Sequence, residues 1–251
     1  GRVCSMQRYT KLGKAVAILA MVSASSAFAS DVIPYNQLGN LDNGKKIFTE
    51  GKNDVPACTS CHGEDAMGDD AMGTPRLSGQ GFNFLVKQLE DFATDKRMDT
   101  TMYIMNNNAK GLSDQDRRDV SAYAASLSKS GGGSDLKAVQ ELGSTPVGQR
   151  HLGKSLAQYG AADRGIPACH SCHAYNGRGA FPVYPMLSKQ KYVYMVNQMK
   201  KWRDGSRAND PMGQMRAVAK NLSDQDIYNV AAFLTTAPRT TVGDSTIPEE
   251  H

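Results

Sequence analysis

The sequence predicts an all-α protein built from two tandem copies of one small domain, and three observations carry that prediction. The pentapeptide Cys-x-x-Cys-His stands at residues 58–62 and again at 169–173, each copy preceded by Pro-Ala. The surrounding chain repeats as well. Cys58 maps to Cys169 at a shift of 111 residues, while Pro75, Phe92, Arg97 and Leu112 map to Pro185, Trp202, Arg207 and Leu222 at a shift of 110. Finally, apolar residues recur at three- and four-residue intervals, and no alternating strand pattern appears. The one-residue change of shift falls in the loop after the motif histidine, where a deletion is easily absorbed.

In chain order, residues 1–29 read as a secretory signal peptide: Lys11 and Lys14 supply the charged region, 15–22 the apolar run, and Ala27-Phe28-Ala29 the small-residue cleavage site. The run is short and its end rich in serine for a bilayer span, so cleavage is expected to leave Ser30 as the first residue of a periplasmic protein, with an uncleaved anchor as the alternative. The first domain is expected over 30–130 and the second over 148–240. Between them, 131–147 reads as a linker that opens with Gly131-Gly132-Gly133-Ser134, a flexible joint by composition. Residues 241–251 read as a tail.

Each domain shows three helices. The first is expected at 43–50 and, in the second copy, 149–159, with apolar spacing at Ile47 and Phe48 and at Leu152 and Leu156. The second is expected at 82–95 and 192–204, where Leu85, Leu89 and Phe92 share one face, as do Met195, Met199 and Trp202. The third opens twice with Leu-Ser-Asp-Gln-Asp: Ser113 and Ser223 are placed as N-caps, with Asp116 and Asp226 at the capping-box position.

The motif carries the chemistry. Cys-x-x-Cys-His is the attachment signature of c-type haem: two thiols one helical turn apart each add to a porphyrin vinyl group, and the next histidine reaches the iron. Cys58, Cys61 and His62 would hold one haem, and Cys169, Cys172 and His173 a second, giving two covalently attached haem c. Two alternatives exist. The motifs could form a closed zinc site, or a redox dithiol, although the βαβ pattern of the latter is missing. Cys4 lies in the presequence, so the mature chain keeps no cysteine for a disulfide, a thiolate ligand or a nucleophile.

The formal charge of +4 comes from the presequence: without Arg2, Arg8, Lys11 and Lys14 the chain has 25 basic and 25 acidic residues. That balance argues against nucleic acid as a partner. It is unevenly divided, with a net −4 over 30–130 and +4 over 131–251, a dipole able to orient encounter with charged partners.

A haem that only transfers electrons takes a second axial ligand, and methionine thioether gives a high potential. Each unit offers two at equivalent positions, Met102 and Met105 in the first and Met212 and Met215 in the second, and the repeat alone does not choose between them. Met67, Met72, Met98, Met186, Met195 and Met199 read as core filler. His151, His170 and His251 read as solvated side chains.

The order Cys-x-x-Cys-His, Pro-x-Leu-x-x-Gln, an amphipathic helix ending near Arg, a Met, then Leu-Ser-Asp, twice over, resembles the cytochrome c4 family of dihaem cytochromes across nearly the whole mature chain. The resemblance implies two tandem class I cytochrome c domains, each wrapped around one haem. It implies Met105 and Met215, seven residues before Leu112 and Leu222, as iron ligands beside His62 and His173. It also implies that the Pro75 and Pro185 carbonyls accept from the histidine Nδ1–H groups, and that Gln80, Gln190 and Tyr194 contact propionates or line the pocket. Arg97 and Arg207 would counter propionate charge. Phe84 stands where the second unit has Tyr194, so the pockets should differ in polarity. Lys189 replaces the usual glycine before Gln190, which puts the local turn in doubt.

The function implied is periplasmic electron transfer, not catalysis. Electrons would pass between a quinol-oxidising complex or periplasmic dehydrogenase and a terminal oxidase or reductase, and any membrane association would be through such partners. The alternative is a dihaem subunit of a periplasmic oxidoreductase such as flavocytochrome c sulfide dehydrogenase. An intrinsic peroxidase or thiosulfate dehydrogenase activity fits poorly, because a methionine is available to each iron and no cysteine is spare.

Overall fold

In the computed structural model, residues 39–127 and 131–239 are described. The signal peptide, the start of the first domain and the tail therefore lie outside the described residues. The elements in order are α1 (Leu41–Glu50), α2 (Thr59–His62), α3 (Phe82–Ala93), α4 (Ile104–Lys110), α5 (Asp114–Ser126), α6 (Leu136–Leu142), α7 (Arg150–Tyr159), α8 (His170–His173), α9 (Tyr192–Asp204), α10 (Gln214–Ala219) and α11 (Asp224–Thr236). Among the described residues there are only isolated β-bridges and no strand. None of the described helices is long and apolar enough to cross a membrane.

Two apolar cores form. Ile47, Phe48, Val55, Ala66, Leu112 and Val120 make one, and Leu156, Ile166, Tyr192, Val196, Ile227 and Phe233 are among the residues of the other. In each, the first helix crosses the last at a glycine. A Cβ on Gly44 would stand 2.1 Å from the Asp119 carbonyl oxygen, and one on Gly153 would stand 1.8 Å from that of Asn229. The backbones touch because nothing larger than hydrogen separates them. The same crossing is pinned by Asn40 N–H donating to Asp119 Oδ1 at 2.7 Å and Gln149 N–H to Asn229 Oδ1 at 2.7 Å.

Helix ends follow the sequence closely. Ser113 and Ser223 each complete a capping box, with Asp116 and Asp226 returning the bond. Lys189 takes a left-handed φ of +59°, close to the +69° of Gly79, so the turn survives the missing glycine at a strain of roughly 1 kcal/mol.

The structure departs from expectation in two places. Segments 104–110 and 214–219 are helical, though each is too short to show periodicity. The joint from residue 131 onward is also docked on the second domain. Asp135 caps α6, Val139 is 2 % exposed in the second core, and Tyr192 Oη donates to the Pro146 carbonyl at 2.7 Å. A glycine run reads as a flexible joint from composition alone, whereas Ser134 N–H finds Thr235 Oγ1 at 2.7 Å only once the domain has folded.

Gly153→Ala is expected to destabilise the second domain by about 1–3 kcal/mol or more, since α7 must move off α11; denaturant unfolding will show a lowered midpoint. A second expectation concerns acid. Burial works against the charge of Asp116, but bonds from Lys52, Ser113 and Asn43 outweigh it and hold the carboxyl down to about 2, against an ordinary 3.8. A depressed folded pKa means stability that is present above the ordinary value and lost as pH falls from about 4 to about 2. Asp116→Asn should lose up to roughly 2 kcal/mol at neutral pH and flatten the acid limb of the stability curve.

Candidate haem sites

Both motifs form one helical turn that begins at the first cysteine. The His62 and His173 N–H groups donate to the Cys58 and Cys169 carbonyls at 2.9 Å, and the Cys61 and Cys172 N–H groups reach the same carbonyls at 3.3 Å. This turn sets the two thiols and the imidazole at positions i, i+3 and i+4 of one short helical turn. All four thiols are free of disulfides. Burial pushes the Cys58 and Cys169 thiols up to about 11, which opposes the thiolate that zinc requires. Among the described residues no three His, Cys, Asp or Glu side chains gather as a metal ion would need. The donor set therefore fits thioether attachment better than a zinc site.

The two imidazoles are 6 % and 7 % exposed. His62 Nδ1 lies 3.1 Å from the Pro75 carbonyl and His173 Nδ1 lies 2.9 Å from that of Pro185. Burial pulls both pKa values down against the pull of those carbonyls, so the rings are neutral and donate through Nδ1. Nε2 is then the nitrogen available to an iron. The prolines are brought back by a closed loop in each domain. Gly68 N–H donates to the His62 carbonyl at 2.8 Å and Gly179 N–H to that of His173 at 2.8 Å.

The paired methionines separate by exposure. Met102 is 83 % and Met212 90 % exposed, both in left-handed turns with φ of +52° and +55°. Met105 and Met215 follow in α4 and α10 and are half-buried. Met105 N–H is anchored on Asp99 Oδ2 at 3.1 Å. Of the methionines read as filler, Met186 and Met195 are each 5 % exposed, whereas Met72 and Met98 are 51 % and 46 % exposed and fill no core.

Gln80 and Gln190, expected to contact propionates or line the pocket, bond across the domain boundary. Each amide grips the backbone of the opposite domain: Gln80 bonds both to N and O of Met186, and Gln190 to N and O of Arg76. Tyr194 joins a cluster between the domains, accepting from Arg97 Nη2 at 3.1 Å. Burial raises its pKa, but Arg97 and Arg207 together outweigh this and bring the phenol down to about 8. Arg97 and Arg207 are each 6 % exposed, lie over the Phe92 and Trp202 rings, and both donate to Gln88 and to Gln198.

Sequence reasoning passed over Gln88, Gln198 and Arg76. The recurrence of the first two at a shift of 110 was a usable signal; Arg76, 1 % exposed, aligns with Met186 and gave none. His170 is not a solvated side chain: its ring packs 5.5 Å from Tyr175 and 6.2 Å from Phe233, with Nε2 buried and without a hydrogen-bond partner. His151 is exposed, and His251 lies outside the described residues.

A family model for cytochrome c matches residues 41–128 and 153–238. The thiosulfate dehydrogenase electron acceptor of Stutzerimonas stutzeri is 35 % identical over 197 residues, covering 76 % of this chain and 84 % of its own. A cytochrome c4 of Pseudomonas aeruginosa is 33 % identical over 186 residues, covering 73 % and 85 %. Among solved structures, reduced cytochrome c4 from Pseudomonas stutzeri is similar with a TM-score of 0.65 and 30 % identity, covering 80 % of this chain and 100 % of that one. A thiosulfate dehydrogenase from Marichromatium purpuratum gives a TM-score of 0.69 at 30 % identity, covering 84 % of this chain but 44 % of that one.

Replacing Cys58 and Cys61 together by serine should leave the protein with half its covalent haem, read by haem staining of denatured protein and by intact mass. Replacing Cys169 and Cys172 should remove the other half.

Proposed function

This chain belongs to the cytochrome c family as a dihaem protein of the cytochrome c4 type, and on that premise we propose that it is a periplasmic carrier that accepts electrons from a dehydrogenase of the thiosulfate dehydrogenase kind and delivers them to a terminal oxidase or reductase. Two haem c groups are covalently bound, and electron transfer is the role of the family. The observation that carries the donor assignment is the similarity to a thiosulfate dehydrogenase electron acceptor over most of both chains.

A haem supplies a one-electron couple at its iron, and everything else is the work of the chain. His62 and His173 would hold the iron through their imidazoles, kept in one orientation by Pro75 and Pro185. Met105 and Met215 would supply the sulfur ligands. Their half-burial favours them over Met102 and Met212, which would have to leave solvent-facing turns. A soft thioether favours the reduced metal and raises the potential. The buried Arg97 and Arg207, whose partners include amides and a phenol, supply positive charge against propionates. With a methionine for each iron and no spare cysteine, we assign no catalytic step to the protein.

A second reading is a subunit or module of an oxidoreductase. It draws support from the Marichromatium purpuratum enzyme, of which this chain matches 44 %. Copurification of a dehydrogenase chain at equal stoichiometry would favour that reading over a free carrier.

Purified protein should be reduced by thiosulfate when catalytic thiosulfate dehydrogenase is added and stay oxidised without it; failure to reduce would remove this donor. Met105→Leu and Met215→Leu should each abolish about half of the weak long-wavelength sulfur-to-iron charge-transfer band of the oxidised protein. Met102→Leu and Met212→Leu should leave that band intact.

A further inference from the structure

Each axial histidine is oriented by a peptide group that the opposite domain holds. The Pro185 carbonyl, 2.9 Å from His173 Nδ1, shares its peptide group with the Met186 N–H. That N–H donates to Oε1 of Gln80, in the first domain, at 2.9 Å, and Gln80 Nε2 donates to the Met186 carbonyl at 2.9 Å. The second domain returns the arrangement. Arg76 N–H donates to Gln190 Oε1 at 2.7 Å, Gln190 Nε2 donates to the Arg76 carbonyl at 3.0 Å, and the Pro75 carbonyl of the same peptide group lies 3.1 Å from His62 Nδ1. Gln80 and Gln190 are 4 % and 7 % exposed, so water does not compete for these bonds.

The chemistry of such a chain has a direction. An acceptor on a peptide N–H pushes electron density toward the carbonyl oxygen of that peptide, and successive bonds polarise one another in a low dielectric. A stronger carbonyl acceptor draws on the imidazole Nδ1–H, which makes the ring a more basic ligand. A more basic ligand stabilises the oxidised iron, so hydrogen bonding to the axial imidazole is a lever on potential.

We propose that Gln80 is a positioning residue for His173, and Gln190 for His62, so that each domain tunes the reduction potential of the other domain's haem through one shared peptide group. The proposal rests on the reading of both histidines as iron ligands. It gives the two haems a route of mutual influence that runs through covalent and hydrogen bonds rather than through space. A glutamine that served only to dock the domains would act on both haems alike or on neither.

The test is a haem-resolved redox titration of the holoprotein, with the haems distinguished by NMR of their methyl groups. Gln80→Leu should raise the midpoint of the haem on Cys169 and Cys172 and leave the haem on Cys58 and Cys61 near its original value. Gln190→Leu should do the converse, and gives the same test should the first variant fail to fold. Asn209→Ala is the control. It exchanges one uncharged side chain for another, removes bonds across the same interface to Gln88 and Asp91 together with the bond from Arg207 Nε, and should leave both midpoints in place. A shift confined to the variant's own domain, an equal shift at both haems, no shift, or a matching shift in Asn209→Ala would each overturn the relay. Wild-type protein without two one-electron steps would instead sink the ligand reading, and the relay with it.

Discussion

The bond between each motif histidine and a proline carbonyl is the constraint on which the rest of the molecule depends. It joins His62 to Pro75 and His173 to Pro185, across a loop that must leave the motif, turn, and come back to place one carbonyl oxygen. The loop closes on backbone bonds from Gly68 and Gly179 to the histidine carbonyls. With Nδ1 committed, the ring can offer a metal only Nε2, and the two thiols, one a turn earlier and one immediately before the histidine, lie on the same short turn. A single imidazole orientation thus fixes the side from which an iron would be approached.

Small domains bury little surface, which explains how tightly the first and last helices of each domain are crossed. Gly44 under Asp119 and Gly153 under Asn229 let backbone meet backbone, and capping boxes on both last helices fix where they start. The arrangement leaves the faces of α3 and α9 to meet between the domains. There the buried Arg97 and Arg207 share Gln88 and Gln198 in a nearly two-fold pattern. Two guanidiniums held together by neutral amides make a strongly positive centre away from water, suited to neutralising carboxylates.

The repeat is not perfect, and two of its departures fall at the interface. Tyr194 brings a phenol where the first domain has Phe84, and Arg76 is matched by Met186. The interface bonds made by the two glutamines keep their pattern despite the second difference, because they use backbone atoms that any residue supplies. The glutamines can therefore hold both loops in the same way while the side chains on those loops diverge.

What the sequence determined alone was mostly local: the haem-binding turns, the capping boxes and the helix faces follow from residues within a turn or two of one another, and the two units follow from the same local patterns recurring 110 residues apart. Spacing carries that information because covalent geometry and helical periodicity act over a few residues. The tertiary structure alone decided that residues 131–147 dock instead of swinging free, that Met102 and Met212 face solvent, and that the Gln80 and Gln190 amides grip the opposite domain. Each of those outcomes depends on hydrogen-bond partners or buried surface brought from distant positions, and no pattern within the segment itself encodes where such a partner will lie.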